Sequence, residues 1–206
     1  MSHFLDLNNY IKQYEIGHGT FGEVFKVTDK DTGNIFAAKI SYTELDQNDS
    51  TFIMSLKREV NILSQLNHPS VLRFIGYSPF DFNQESYPVI ITEYSPSGSL
   101  DDIIKLDRKH NATQAWTDTK KLINIYGISL AMSYLHSHNI IHRDLKPANI
   151  LENENLFPKI ADFGLSKNHH QRIDSTTAKS AVTIKGTPIY IAPEIWINSK
   201  YTKSGD

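Results

Sequence analysis

Gly17-His-Gly19-Thr-Phe-Gly22-Glu-Val24 sets three glycines at G-x-G-x-x-G spacing ahead of a valine. Backbone without Cβ atoms can approach phosphate oxygens closely and donate N–H bonds to them, so such a loop suits a nucleotide's phosphates. The same spacing also fits a dinucleotide-binding turn or an ordinary glycine-rich hairpin. A dinucleotide site needs a helix to begin at the third glycine. Val24-Phe-Lys-Val-Thr28 instead alternates and is β-branched, which predicts a loop between two strands. Further on, Ala37-Ala-Lys39-Ile40 places a lysine within an apolar strand, where the charge needs an anion unless the ammonium snorkels to water from an edge. Glu59 falls on the apolar side of a predicted helix, where a carboxylate is costly unless a cation meets it. Lys39 and Glu59 are natural partners, and their ion pair would aim the ammonium at a nucleotide's phosphates.

These residues need elements to hold them. Ile35–Ile40 and Pro88–Tyr94 are β-branched or aromatic runs bounded by turn residues and predict strands. From Phe52 to Leu66, Ile53, Leu56, Val60 and Leu63 recur at steps of three and four, a helical stripe that Asn67-His68-Pro69 ends. Ser95-Pro-Ser-Gly98 suits a hinge or linker, after which the pattern turns helical. Thr117-Asp118 can cap a helix with Leu122, Ile125, Ile128, Met132 and Leu135 as its stripe. Short strands and loops follow from Ile140 to Ile160, then a polar segment from Lys167 to Lys185. The expected class is α+β, a strand-rich unit joined to a helical one.

Composition narrows the partners. With 206 residues, 39% hydrophobic and 21% charged, the chain can bury a sizeable core. A net charge of -2 gives no basic footprint for nucleic acid or anionic lipid, so neither nucleic acid nor membrane is expected as a partner. There are no cysteines, which excludes disulfides and thiolate chemistry and permits a reducing compartment. Met1-Ser-His-Phe-Leu-Asp6 has no signal-peptide pattern and no apolar run is long enough for a bilayer, so a cytoplasmic location is expected. His136-Ser-His138 and His169-His170 have no carboxylate or thiolate set at structural-metal spacing and are expected to be polar surface.

The most specific signal is Ile141-His142-Arg143-Asp144-Leu145-Lys146-Pro147-Ala148-Asn149, followed by Ala161-Asp162-Phe163-Gly164 and by Gly186-Thr187-Pro-Ile-Tyr-Ile-Ala192-Pro193-Glu194. With the glycine loop and Lys39, these ordered motifs resemble the protein kinase family over nearly the whole chain. The resemblance implies a bilobal fold: an extension at 1–9, a strand-rich N-lobe with one helix at 10–95, and an incomplete, mostly helical C-lobe at 96–206. It implies ATP and Mg²⁺ as cofactors and a protein hydroxyl as acceptor. Asp144 would orient that hydroxyl and take its proton, while Lys146 reaches the γ-phosphate and marks serine/threonine specificity. Asn149 and Asp162 would supply hard oxygens to Mg²⁺. By the same resemblance Ile16, Val24, Ala37 and Leu151 sandwich the purine. Thr92 lies behind it, Glu93 and Ser95 make backbone hinge bonds, and Gly17, Gly19, Gly22, Lys39 and Glu59 manage the phosphates. Leu63, Phe74, His142 and Phe163 match the family's stacked column, or are simply core.

Arg143 beside the aspartate that the resemblance makes catalytic implies attraction of a phosphate carried by Ser175, Thr176, Thr177, Ser180 or Thr183, the alternative being an unmodified mobile loop. The chain departs from the family in length. Ser204-Gly205-Asp206 ordinarily opens a long helix whose aspartate bonds backbone near His142, so the sequence reads as C-terminally truncated, and Glu194 loses its usual arginine. A noncatalytic nucleotide-binding or interaction module is the alternative function.

Overall fold

The computed structural model describes residues 3–19, 22–46, 48–168, 186–198 and 201–206. They form two compact units, one of residues 1–67 and 72–95, the other of 68–71 and 96–206.

In the first unit, β1 (Tyr10–Gly19), β2 (Gly22–Asp29), β3 (Ile35–Ser41), β4 (Phe74–Ser78) and β5 (Val89–Glu93) form one antiparallel sheet in the order β1-β2-β3-β5-β4. Its β-branched and aromatic residues fit a pleated, half-buried surface. Leu7, Val27, Ala38, Val89 and Ile91 form its core, with Leu5, Tyr10, Phe36 and Ile75 packed around them.

α1 runs Ser50–Leu63, starting earlier than the stripe from Phe52 predicts, because Asp49 caps it by accepting from Thr51 N and Phe52 N at 3.1 and 3.0 Å. It also ends before Leu66, whose N–H donates to Leu63 O in a tighter turn.

Residues 3–5 lie along β4, the last strand in the sheet order. Leu5 N donates to Tyr77 O and Tyr77 N to His3 O, both at 2.8 Å. Gly76 makes room for them: a Cβ there would sit 2.6 Å from both His3 O and Leu5 Cγ.

In the second unit, α2 (Leu100–Arg108) and α3 (Asp118–Ser137) accompany the ladders β6 (Ile140–Ile141) with β9 (Lys167–Asn168) and β7 (Ile150–Glu152) with β8 (Pro158–Ile160); α4 spans Pro193–Asn198. Ser99 caps α2 in a reciprocal box with Asp102, Asp102 N donating to Ser99 Oγ at 3.2 Å. Replacing this hydroxyl strands that donor, so Ser99→Ala is expected to lower stability by about 1 kcal/mol in urea unfolding. Leu100, Ile103, Trp116, Ile150 and Leu156 form the core beneath.

The sequence stripe on α3 is only half right. Leu122 and Ile125 are 67% and 62% exposed, whereas Asn124, Ala131 and Leu135 are buried. Asn124 faces inward because its amide donates to Lys120 O and Leu156 O, an interaction that apolar periodicity does not register. No helix among the described residues is long and apolar enough to cross a membrane.

Candidate active site

In the first unit, strand pairing places Gly17 opposite Val24 and Gly19 opposite Gly22 at the end of the β1–β2 hairpin. The structure therefore has a strand on each side of residues 20–21, and the third glycine begins a strand and not a helix. The three glycines differ in role. An added Cβ on Gly17 or Gly19 would meet nothing within 4 Å among the described residues. On Gly22 it would fall 2.1 Å from Ile40 O, so β3 itself excludes a side chain.

Val24 pairs with Lys39 across β2–β3, and Ala37 with Thr92 across β3–β5. Ile16 lies on β1, so strand pairing ties the predicted nucleotide residues of this unit to adjoining strands. Lys39 Nζ lies 3.7 Å from Glu59 Oε1, with side chains 27% and 17% exposed. That is ion-pair range, longer than a charge-assisted hydrogen bond. Glu93 N donates to Arg73 O at 2.9 Å, and Glu93 Oε1 accepts from Arg73 N at 2.8 Å, which fixes the end of β5 just before Ser95.

In the second unit a network centres on Asp144. Its Oδ1 accepts from Thr187 N and Thr187 Oγ1, both at 2.8 Å. Its Oδ2 accepts from Lys146 Nζ at 2.9 Å and from Asn149 Nδ2 at 3.0 Å. Lys146 Nζ also donates to Thr187 Oγ1 at 2.6 Å, and Asn149 Nδ2 to Asp144 O at 2.8 Å. Burial pushes the Asp144 carboxyl upward, but hydrogen bonds from Lys146 and Thr187 and the Lys146 charge outweigh it, leaving the group below the ordinary carboxylate range. Asp144 is therefore an anion at neutral pH.

Thr187 is the member that sequence reasoning quoted in a motif without giving a role. Gly186 brings it in. At φ +111° it adopts a backbone that favours glycine, and a Cβ would lie 2.6 Å from Arg143 O.

Asn149 precedes β7 and Asp162 follows β8; Ile150 pairs with Ile160, and Ala161 N donates to Asn149 O at 2.9 Å, so the hairpin sets both residues at one end. Asp162 has left-handed backbone at φ 60° and ψ 72°, and Arg143 a φ of 69°, conformations that cost energy in non-glycine residues and gather at working sites. With its Nδ2 turned to Asp144, Asn149 has its carbonyl oxygen as the atom left for a hard cation. No cluster of three or more His, Cys, Asp or Glu among the described residues could cage a metal. A carboxamide and a carboxylate beside phosphate oxygens and water nonetheless suit Mg²⁺, which keeps several waters.

The loop bearing Asp144 hangs from Asp206. Its Oδ2 accepts from His142 N and its Oδ1 from Arg143 N, each at 2.7 Å, and the side chain is 1% exposed. His136 Nε2 lies 3.1 Å from Asp206 Oδ2, so this histidine is a partner of the loop's anchor and not the polar surface expected of it. His142 and Phe163 are buried and meet edge to face at 5.1 Å, while Leu63 and Phe74 belong to the other unit. Ser175, Thr176, Thr177, Ser180, Thr183, His169 and His170 lie outside the described residues.

The protein kinase domain family matches residues 10–206 of this chain. The chain belongs to the protein kinase family. This kinase domain is similar to a Trypanosoma brucei brucei protein classed as a serine/threonine-protein kinase, with 33% identity over 198 residues, 96% of this chain and 43% of that protein. Serine/threonine-protein kinase pakF of Dictyostelium discoideum is 33% identical over 206 residues, 97% of this chain and 15% of that one. Mitogen-activated protein kinase kinase kinase 2 of Arabidopsis thaliana is 32% identical over 195 residues, 93% and 28% respectively. The kinase domain thus spans less than half the length of these relatives.

Proposed function

We propose that this chain transfers the γ-phosphate of ATP to a serine or threonine hydroxyl of a protein substrate. The observation that carries the reading is the bonding of Asp144, whose Oδ1 already accepts a threonine hydroxyl at 2.8 Å while its Oδ2 is held by Lys146.

In the first unit, Gly17 and Gly19 offer open backbone N–H groups to phosphate oxygens, with Gly22 closing the turn. Lys39, braced by Glu59, directs its ammonium to the α- and β-phosphates. Ile16, Val24 and Ala37 contact the purine with Thr92 behind it, and Glu93 and Ser95 bind its edge through backbone. In the second unit, Leu151 is the further purine contact.

Asp144 accepts a hydrogen bond from the substrate hydroxyl, aligns it, and takes its proton late. A strong base is unnecessary, because phosphoryl transfer places the developing charge mainly on phosphate oxygens. Lys146 places a cation beside the acceptor hydroxyl, where it can also meet the γ-phosphate. Asn149 and Asp162 would hold Mg²⁺, which supplies charge neutralisation to the phosphates when bound. A net charge of -2 gives no basic footprint for nucleic acid or anionic lipid, and ATP and protein are the partners proposed, in a reducing, cytoplasmic setting that the absence of cysteine permits.

The test is single-turnover transfer from γ-labelled ATP with Mg²⁺ to a generic protein substrate, followed by phosphoamino-acid analysis. Label on serine and threonine supports the proposal. ATP-dependent thermal stabilisation with no transfer would replace it with the noncatalytic binding module.

A further inference from the structure

We infer that Glu152 carries a proton in the folded protein and donates it to Asn124 Oδ1, forming a proton-linked lock inside the second unit. Glu152 is 0% exposed, and neither carboxyl oxygen has a hydrogen-bond partner among the described residues. Asn124 Oδ1, also buried, has none either. Asn124 stands within bonding reach of the carboxyl. Its Nδ2, however, is engaged by Lys120 O at 3.2 Å and Leu156 O at 3.1 Å, which leaves Oδ1 as the atom of that amide available to the carboxyl. Asn124 Oδ1 is an acceptor and a carboxylate offers only acceptors, so a hydrogen bond between them in a dry interior requires a proton that only the carboxyl can bring.

The surroundings contain little to offset an anion. From α3 come Lys120 and Asn124; across the β7–β8 ladder stands Pro158; α2 buries Leu100 and Ile103. The Lys120 ammonium is drawn away to donate to Asn155 O. Burial pushes the Glu152 carboxyl up to about 7, outweighing the charge of Lys120, which favours ionisation.

The lock acts on the main chain around it. Glu152 N donates to Gly98 O at 2.9 Å and Ser97 N to Glu152 O at 3.1 Å, so β7 clasps the segment leading into the Ser99 cap of α2. Losing the proton leaves a charge at the centre of that clasp.

A carboxyl whose folded value exceeds its unfolded one stabilises the fold when protonated in both states. That contribution is lost as pH rises from 4.5, the ordinary value, to about 7. Across that interval the unfolding constant of the wild type should rise on the order of 10²-fold relative to Glu152→Gln, whose amide keeps a donor and cannot ionise. The readout is urea unfolding of both proteins against pH. Parallel profiles would overturn the inference. Should the variant fail to fold, the side-chain ¹³C carboxyl resonance of Glu152 in the wild type decides: titration near neutrality upholds the lock, and titration in the ordinary range of about 4 removes it.

Discussion

Asp144→Asn should reduce phosphoryl transfer by about 10³-fold while leaving ATP binding nearly intact, a loss within the span that a positioned proton acceptor contributes. The substitution keeps an oxygen for Thr187 but replaces Oδ2 with an NH₂ group. Asn149 Nδ2 and Lys146 Nζ both donate to that atom in the native chain, so three donors would crowd one point with no lone pair among them. The charge that keeps Lys146 in place disappears as well. Single-turnover transfer measures the first part, and the thermal shift on adding Mg²⁺ and ATP measures the second. Transfer within tenfold of the wild type would show that Asp144 does not act on the substrate hydroxyl.

The second large effect is expected at Asp206. Its carboxylate receives two main-chain N–H groups, those of His142 and Arg143, and lies beside His136. Asp206→Ala leaves both donors in a part-buried setting without an acceptor, at a cost of about 3 kcal/mol in urea unfolding. Because those amides begin the loop that ends at Asn149, turnover should fall further than the stability change alone explains. Asp206→Asn, which keeps one acceptor oxygen, should recover part of both losses. Unchanged stability in the alanine variant would mean that the loop is held elsewhere.

The motif from His142 to Asn149 and the strand runs were legible in the sequence because they depend on short, local patterns. Ile35–Ser41 and Val89–Glu93 follow β-branched runs closely, and Lys39 and Glu59 meet as strand and helix periodicity predicted. What escaped prediction depends on partners far along the chain. Thr187 reaches Asp144 only because Gly186 turns beside Arg143. Asn124 is buried with its amide on Leu156 O, while Leu122 and Ile125 lie exposed on α3. Glu152 occupies a strand of three residues, too short for alternation to reveal that its side chain has no route to water.

The residues that precede the family match carry a consequence of their own. An unpaired edge strand is a template for pairing with other chains, and proteins blunt such edges by covering them. Here His3 and Leu5 occupy the hydrogen-bonding groups of Tyr77 on β4, and Leu7 enters the core of the sheet. Trimming the chain at Tyr10 would open that strand and a hydrophobic notch at once, inviting intermolecular sheet growth and insoluble aggregates.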